Sequence, residues 1–483
     1  MEQQTGALSG DAVYSDAVAK VEPYGIEPIP DSERHGRPRD QFTVYFAINL
    51  ALATMVTGFF PVAAGLSIAQ AVSSIVVGTA AGAIILGIMS TMGSRLGVTQ
   101  PVLARGPMGV LGQIPLMAYA GVFGGMGWAT INLVFGAEAL EDTVHLPFWI
   151  GAVALAVGQG AVAVFGYNMV HLLNRICTFV IGAVFVVLTV MALGKADFSF
   201  AANPDAPAYI GGWGGWITSA GVFLALLIGF SPYSADYSRY LPVRTSPTKV
   251  ACFTGLGNFL VVAWLACLGA LLASFAGADT EIQAVRHLGG GFAFTALLLL
   301  GLSTVALNGF NMYGSSMSLL GLGVPMRRVT AVVTLTVLTL AIGLWLKNDL
   351  FGIFYDFLVL AGYVLAPYVV VTLLDYYVGG RSKIDRVGEL FDESRRLEFG
   401  FTAWVVGVAA SVPFWMWKHY VGPVASAHPA WGDLSYYVGG AVTAVVWVAL
   451  WRAPALARLL TVRSSTPVSQ PMLAAERERG TVA

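Results

Sequence analysis

Polar residues in this chain fall into a few islands between long apolar runs. After about forty polar, Pro-containing residues come twelve apolar segments, at 42–66, 68–92, 113–140, 147–166, 170–194, 214–240, 249–276, 292–322, 329–346, 350–378, 399–418 and 433–456. Each is near the roughly 20 residues that carry a helix across a bilayer core. Lipid satisfies no backbone hydrogen bond, so runs of this length are predicted to be membrane-spanning helices. Two polar connections stand out. Residues 93–112 carry Arg95 and Arg105, and residues 379–398 mix five basic with five acidic side chains, which predicts a solvated, partly helical loop. The organisation expected is a tail (1–41), ten core helices (42–378), that loop (379–398), two additional helices (399–460) and a second tail (461–483).

Two of the predicted spans carry flaws. In Leu226–Leu241, Gly229 weakens the helix, and Pro232 removes a backbone donor and clashes with the preceding turn. Ser231 is a good N-cap and Pro232 a good first helical residue, so a second half-helix is predicted to start there. A simple proline kink is the alternative. The first span has Gly58 and Pro61 past its middle and runs in the opposite direction. Two interrupted helices, five spans apart and antiparallel, are the trace of an inverted repeat. Spans one to five then pair with six to ten, and the last two are additions, giving an all-α membrane fold of about twelve helices.

Charge supports the helix count. If the N-terminal tail lies inside, 22 of the 26 Lys and Arg fall on the inner side, and only Lys195, Arg286, Lys347 and Lys418 on the outer. The positive-inside rule therefore predicts cytoplasmic termini. Trp149, Trp213, Trp345 and Trp431 fall near outer ends, as interfacial belts do. The chain is 57% hydrophobic and 11% charged, whereas a soluble domain carries roughly 25% charge. A net charge of −1 implies no polyanionic partner. Cys177, Cys252 and Cys267 lie in apolar runs with no disulfide or metal spacing. The tail lacks the charged-then-apolar start of a cleaved signal, so the first span is expected to serve as insertion signal.

Candidate chemistry is sparse. Trp128 and Asn132 sit mid-span, four residues apart and so on one helix face. They offer either a stacking plane beside an amide, or a Trp packed on lipid and an Asn bonded to a neighbouring helix. Nearby Gly121, Gly124, Gly125 and Gly127 suit a close helix interface. Thr304, Asn308, Asn311 and Ser315 form one polar stripe on the eighth span, which either lines a cavity or bonds helix to helix. Within the spans, Arg239 and Asp375 are placed to snorkel to the interface, Asp236 is read as structural at a helix start, and Asp356 lies in the outer part of the tenth. The six histidines fall in loops or at helix ends, and no HExxH motif, paired mid-span aspartates or nucleotide-binding loop appears. These absences argue against a membrane-embedded enzyme and against ATP-driven pumping, and nothing resembles a channel filter.

The tail motif at 25–34, Asn49 to Gly58, Gly127-Trp128 with Asn132, the run Pro232 to Tyr240, and Asp375-Tyr-Tyr together resemble the purine-cytosine permease branch of the nucleobase:cation symporter family, over almost the whole chain. The resemblance implies a five-plus-five inverted-repeat (LeuT-like) fold with two extra helices. It implies that Trp128 stacks the substrate ring and that Asn132, with Asn308 or Asn311, reads its edge. An aromatic on the broken sixth span would cover the other face. Leu227 occupies the position where some relatives carry that aromatic, and Phe230 is the nearest substitute, flanked at the break by Gly229 and Ser231. A sodium site is implied between Ala51–Thr54 on the first span and Ser303 and Thr304 on the eighth, with a proton as the alternative coupling ion. The function expected is a plasma-membrane symporter, not an enzyme. It would import a small planar nitrogen heterocycle, first cytosine or a purine, otherwise allantoin, hydantoin, uracil or a vitamin.

Overall fold

The structure, a computed structural model, describes residues 26–165, 167–206, 212–276, 280–347 and 350–464. The expectations for the outermost tails, including Lys20, Arg477 and Arg479, lie outside these residues. Among the described residues, nine helices are long and apolar enough to cross a membrane, and a tenth span is a bent pair, Pro38–Ile48 (α1) and Leu52–Ala63 (α2), meeting at 71°. The chain continues through Ile68–Leu96 (α3), Gln100–Gly112 (α4), Gly124–Val144 (α5), Phe148–Phe165 (α6), Tyr167–Leu193 (α7) and Gly212–Ile228 (α8). It then forms Pro247–Ala276 (α9), Glu281–Gly289 (α10), Ala293–Gly321 (α11), Arg328–Leu346 (α12) and Leu350–Tyr377 (α13). Phe399–Ser411 (α14) and Ser435–Arg452 (α15) are the shorter additional helices.

Packing has the symmetry of an inverted repeat. The bent first span packs on α9 and its counterpart α8 packs on α3; α11 packs on α6 as α5 packs on α12; α5 and α11 pack on each other. Each of these contacts is the image of another when spans one to five are exchanged with six to ten. The two additional helices pack on each other and on α13.

Four expectations change in detail. The sharp bend in the first span lies at 49–51, and at Gly58 the helix is only interrupted by a turn at 57–58, without a bend at Pro61: Ala51 is extended (φ −123°, ψ 148°), and the Asn49 side chain donates to the Tyr45 carbonyl and to Asn258 Oδ1. Gly58 instead permits contact, since a Cβ there would stand 1.9 Å from the Ala266 carbonyl oxygen of α9. In the sixth span, the chain beyond Pro232 is two 3₁₀ turns, Ser231–Tyr233 and Ser238–Tyr240, and not a second α-helix. Ser231 opens the first of them without capping it. The connection 93–112 is largely the buried helix α4, because Val102, Leu103 and Met108 give it an apolar face to bury.

The face carrying the described ends of the chain is tightly built. Residues 26–37 are no free tail: Ile29 is buried, its N–H donates to the Gly97 carbonyl, and His35 N–H donates to the Tyr240 carbonyl. Arg239 does not snorkel. It is fully buried, its guanidinium 3.3 Å from the Tyr313 hydroxyl and over the Tyr240 ring, because the irregular segment folds back beneath residues 26–37. Asp375 is also buried, and the 379–398 loop meets it there through Arg381 at 2.7 Å. That loop is partly 3₁₀ helix (Ile384–Leu390), as expected, but Arg395 and Glu398 within it are buried and paired at 2.7 Å. Arg395–Leu397 (β1) pairs antiparallel with Val462–Arg463, the strand near the described C-terminal end. Asp236, expected at the start of a second half-helix, lies instead between the two 3₁₀ turns; its carboxylate is buried and accepts the Gln100 N–H at the start of α4, where the helix dipole favours an acid.

Candidate functional site

Where the first and sixth spans break, a narrow cavity opens between them and the helices α5 and α11. It is small, about 10 Å³, room for about one water, and its walls are Ile48, Asn49, Ala51, Thr54, Trp128, Asn132, Phe230, Leu307, Phe310 and Asn311. Each break contributes a wall because the chain there turns away from the helix axis and uncovers its flank. Gly229, the last residue before the sixth-span turn, lies against the Trp128 indole; a Cβ on it would be 3.7 Å from Trp128 Nε1.

Trp128 and Phe230 face each other nearly in parallel, at 14°, with centroids 6.2 Å apart. A third ring held between two faces at van der Waals distance on each side needs about 7 Å. A centroid separation of 6.2 Å therefore leaves no room for a third ring between them in this structure. Phe354 and Phe357 of α13 meet the Trp128 indole edge-on at 5.5 and 5.7 Å and fix its plane. Behind Phe230 stands Phe310, which is itself stacked on Tyr237 at 4.4 Å. Leu227 turns away and packs against Gly82 of α3, so Phe230 is the sixth-span aromatic in the cavity.

Three asparagines gather at the side of the rings. Asn132 and Asn311 line the cavity and both donate their amide N–H to Asn308 Oδ1, at 3.2 and 3.3 Å. Asn308 itself is fully buried one layer back, donating to the Ala129 carbonyl and to Gln159 Oε1. The polar stripe therefore divides. Thr304 and Ser315 sit where α11 crosses Gly136 and Gly125 of α5, so they line a helix seam, and Asn311 alone of the four reaches the cavity. Gly121 and Gly127 admit Ser318 and Phe357 in the same way, whereas only Tyr119 of the same turn comes near Gly124. Sequence reasoning missed Gln159. Its signal was a lone amide in an otherwise apolar span, FWIGAVALAVGQGAVAVF.

The residues expected to hold a cation are only partly gathered. Ala51 and Thr54 line the cavity. Ser303 lies about one turn from Leu307 on the same face of α11, about 6 Å along the axis. The Thr304 hydroxyl points toward Gly136 instead. Both hydroxyls donate to their own helix, to the Leu300 and Gly301 carbonyls, which leaves oxygen lone pairs free to ligate. Ser231 Oγ is buried and makes no hydrogen bond among the described residues. No cavity-lining residue is titratable. Asp356, in the outer part of α13, pairs with Lys418 at 2.8 Å, away from the cavity walls.

Comparison with known proteins agrees with this architecture. A family profile described as permease for cytosine/purines, uracil, thiamine and allantoin matches residues 28–439. The Bacillus subtilis protein YxlA, which carries a purine-cytosine permease designation, is 30% identical over 90% of this chain and 96% of its own. The purine-cytosine permease FCY2 of Saccharomyces cerevisiae is 25% identical over 89% of this chain and 86% of its own. Among solved structures, the nucleobase-cation-symport-1 family transporter Mhp1, closed with bromovinylhydantoin bound, has the same fold: TM-score 0.73 at 18% identity, over 92% of this chain and 98% of that one.

Proposed function

Because the chain belongs to the family of permeases for cytosine/purines, uracil, thiamine and allantoin, we propose that it is a secondary active symporter importing a small planar nitrogen heterocycle, cytosine or a purine base first. The observation that carries this reading is the parallel pair Trp128 and Phe230, with two amides at their side. A planar base presents two π faces and a hydrogen-bonding edge. The two rings take the faces, and Asn132 and Asn311 take the edge. Gly229 lets the broken span approach the indole, and Ser231, behind Phe230, holds an unused hydroxyl at the break.

The two rings stand closer than a base between them requires. A small parting of the sixth-span turn from α5 admits the base, and closure restores the packing.

The coupling ion in this reading is sodium. Ala51 and Thr54, at the cavity wall where Ala51 leaves the helical conformation, and Ser303, one turn along α11 from the wall residue Leu307, offer neutral carbonyl and hydroxyl oxygens. Hard cations take such ligands, and carriers of this kind use unwound carbonyls for the ion. Thr304 would join them only if α11 rotated from the seam with α5. A proton needs a titratable group at the cargo, and the cavity walls supply none. The strongly basic face, with the 379–398 loop, is assigned to the cytoplasm of a cell membrane.

The test is uptake of radiolabelled cytosine and adenine into proteoliposomes with an imposed sodium gradient. A symporter accumulates base above the external concentration and loses that accumulation when the gradient is collapsed. Equilibration without accumulation would leave a facilitator and end the symport reading.

A further inference from the structure

The helices pack as two groups. The bent first span, α3, α8 and α9 form one, and α5, α6, α11 and α12 form the other. The irregular segment after α8 is held to the first group, since Ser238 Oγ donates to the Ser90 carbonyl of α3 at 2.6 Å. It runs from Phe230 at the cavity wall to Tyr240, whose carbonyl accepts the His35 N–H at the face carrying the chain ends. Between them, Tyr237 stacks on the wall residue Phe310 of α11 at 4.4 Å and so closes the cavity toward that face.

The start of α4 holds this segment in place. Gln100 is fully buried and makes three hydrogen bonds. Its backbone N–H donates to Asp236 Oδ1 at 2.8 Å, its Oε1 accepts from Ser234 Oγ at 2.9 Å, and its Nε2 donates to the Tyr368 hydroxyl of α13 at 2.8 Å. At the far end of α4, Arg105 and Gln113 both donate to the Gly321 carbonyl of α11, at 2.8 and 3.1 Å, which fastens α4 to the second group. Tyr233, donating to the Gly121 carbonyl, and Arg239, beside Tyr313, also cross between the groups. Gln100 differs in reaching α13 as well, the helix whose Phe354 and Phe357 hold the Trp128 plane. One side chain thus ties the segment that carries Phe230 to the helix that steadies Trp128.

We infer that Gln100 is a positioning residue that bolts the cavity shut toward the face carrying the chain ends. While its side chain bridges Ser234 and Tyr368, the segment stays stacked on Phe310, and release of cargo to that face requires the bridge to break. The inference rests on the carrier reading and adds to it the part that seals one side. Both side-chain bonds join neutral groups, so each has a modest net worth, as a closure broken in every cycle needs. An ion pair buried at the same place would be far harder to open.

Sided labelling tests this role. Cys177, Cys252 and Cys267 are replaced by alanine, and Ile48→Cys at the cavity wall is the reporter. A membrane-impermeant thiol reagent is applied to full-length protein in proteoliposomes, from either face. Gln100→Leu is expected to raise the labelling rate from the chain-end face about tenfold, the worth of one to two hydrogen bonds, with no rise from the opposite face. Ser234→Ala and Tyr368→Phe each remove one bond and are each expected to raise it about threefold, and to add nothing further in the Gln100→Leu background. An unchanged rate in Gln100→Leu, or a rise that is equal from both faces as general loosening would give, overturns the inference. If Gln100→Leu yields no monodisperse protein, the double variant Ser234→Ala, Tyr368→Phe takes its place under the same criteria. Labelling needs no substrate, so failure here leaves the carrier reading intact, and failure of base uptake removes that reading without altering these rates.

Discussion

The Trp128 indole and the Phe230 ring are held 14° from parallel at 6.2 Å, although they come from spans 102 positions apart in sequence. Edge-on Phe354 and Phe357 lock one plate, and Phe310 backs the other. Each ring–base stack is worth roughly 1–3 kcal/mol, so Trp128→Ala and Phe230→Ala are each expected to weaken cytosine or adenine binding about tenfold to a hundredfold. Phe230→Leu keeps the bulk but not the π face, and is expected to lose as much. Wild-type affinity in both alanine variants, measured by equilibrium binding, would remove the rings from the site.

Ion coupling is read by uptake at fixed pH in sodium against choline buffer. Sodium is expected to be required, and Ser303→Ala is expected to raise the sodium concentration for half-maximal uptake more than Thr304→Ala, whose hydroxyl faces Gly136. Asp356→Asn is expected to leave coupling unchanged, since that carboxylate is engaged with Lys418. A pH gradient that drives uptake without sodium would reverse this assignment.

Helices α2 and α9 touch backbone to backbone. A Cβ on Gly269 would stand 1.8 Å from the Met55 carbonyl oxygen, and one on Gly58 1.9 Å from that of Ala266. Gly269→Ala must therefore part the helices, at a cost of roughly 1–3 kcal/mol for overpacking. Because Ala51 and Thr54 travel with α2, lower thermal stability and reduced uptake are expected together. Gly291→Ala, where nothing lies within 4 Å, is the control expected to change neither.

Glu389 ties Arg381 and Arg386 together in the 379–398 loop. Hydrogen bonding from Arg386 above all, aided by the charge of Arg381, holds its carboxyl down to about 2, against an ordinary 4.5. A depressed folded-state value means the stabilisation is complete above 4.5 and fades as pH falls toward 2. Glu389→Gln is thus expected to lower the unfolding temperature at pH 7. The gap to wild type is expected to hold down to about pH 4.5, narrow below it, and shrink in high salt. A gap that is independent of pH between 7 and 3 would show that the ion pairs contribute nothing.

Most of the scaffold was legible from hydropathy, because the bilayer leaves the backbone few alternatives to a helix. The paired breaks were legible from Gly229 and Pro232, though not the position of the first. At 49–51 no breaker stands; Asn49 replaces a backbone bond with its own amide, and only the presence of Asn258 on α9 makes that worthwhile. Trp128 and Asn132 announced themselves by spacing. The division of the polar stripe did not, because Asn308 and Asn311 are adjacent on the helix surface, and their different roles depend on which residues of α5 and α6 lie opposite. Arg239 and Asp375 misled for a related reason. Hydropathy places a charge by depth, but it carries no information on loops that fold back to bury it.

The segment 26–37 has a consequence for how the molecule is made. Ile29 and His35 leave the ribosome before the first span, yet their backbone partners are Gly97 and Tyr240, and the Asp31 carboxylate accepts the Val243 N–H. None of the last two exists until six spans have been synthesised. Asp31 and His35 are therefore seated late, after Ile29, whose partner Gly97 follows the second span. Until then the first span must hold its place in the bilayer with its leading end unanchored, and closing a loop of some two hundred residues is the step that completes that face.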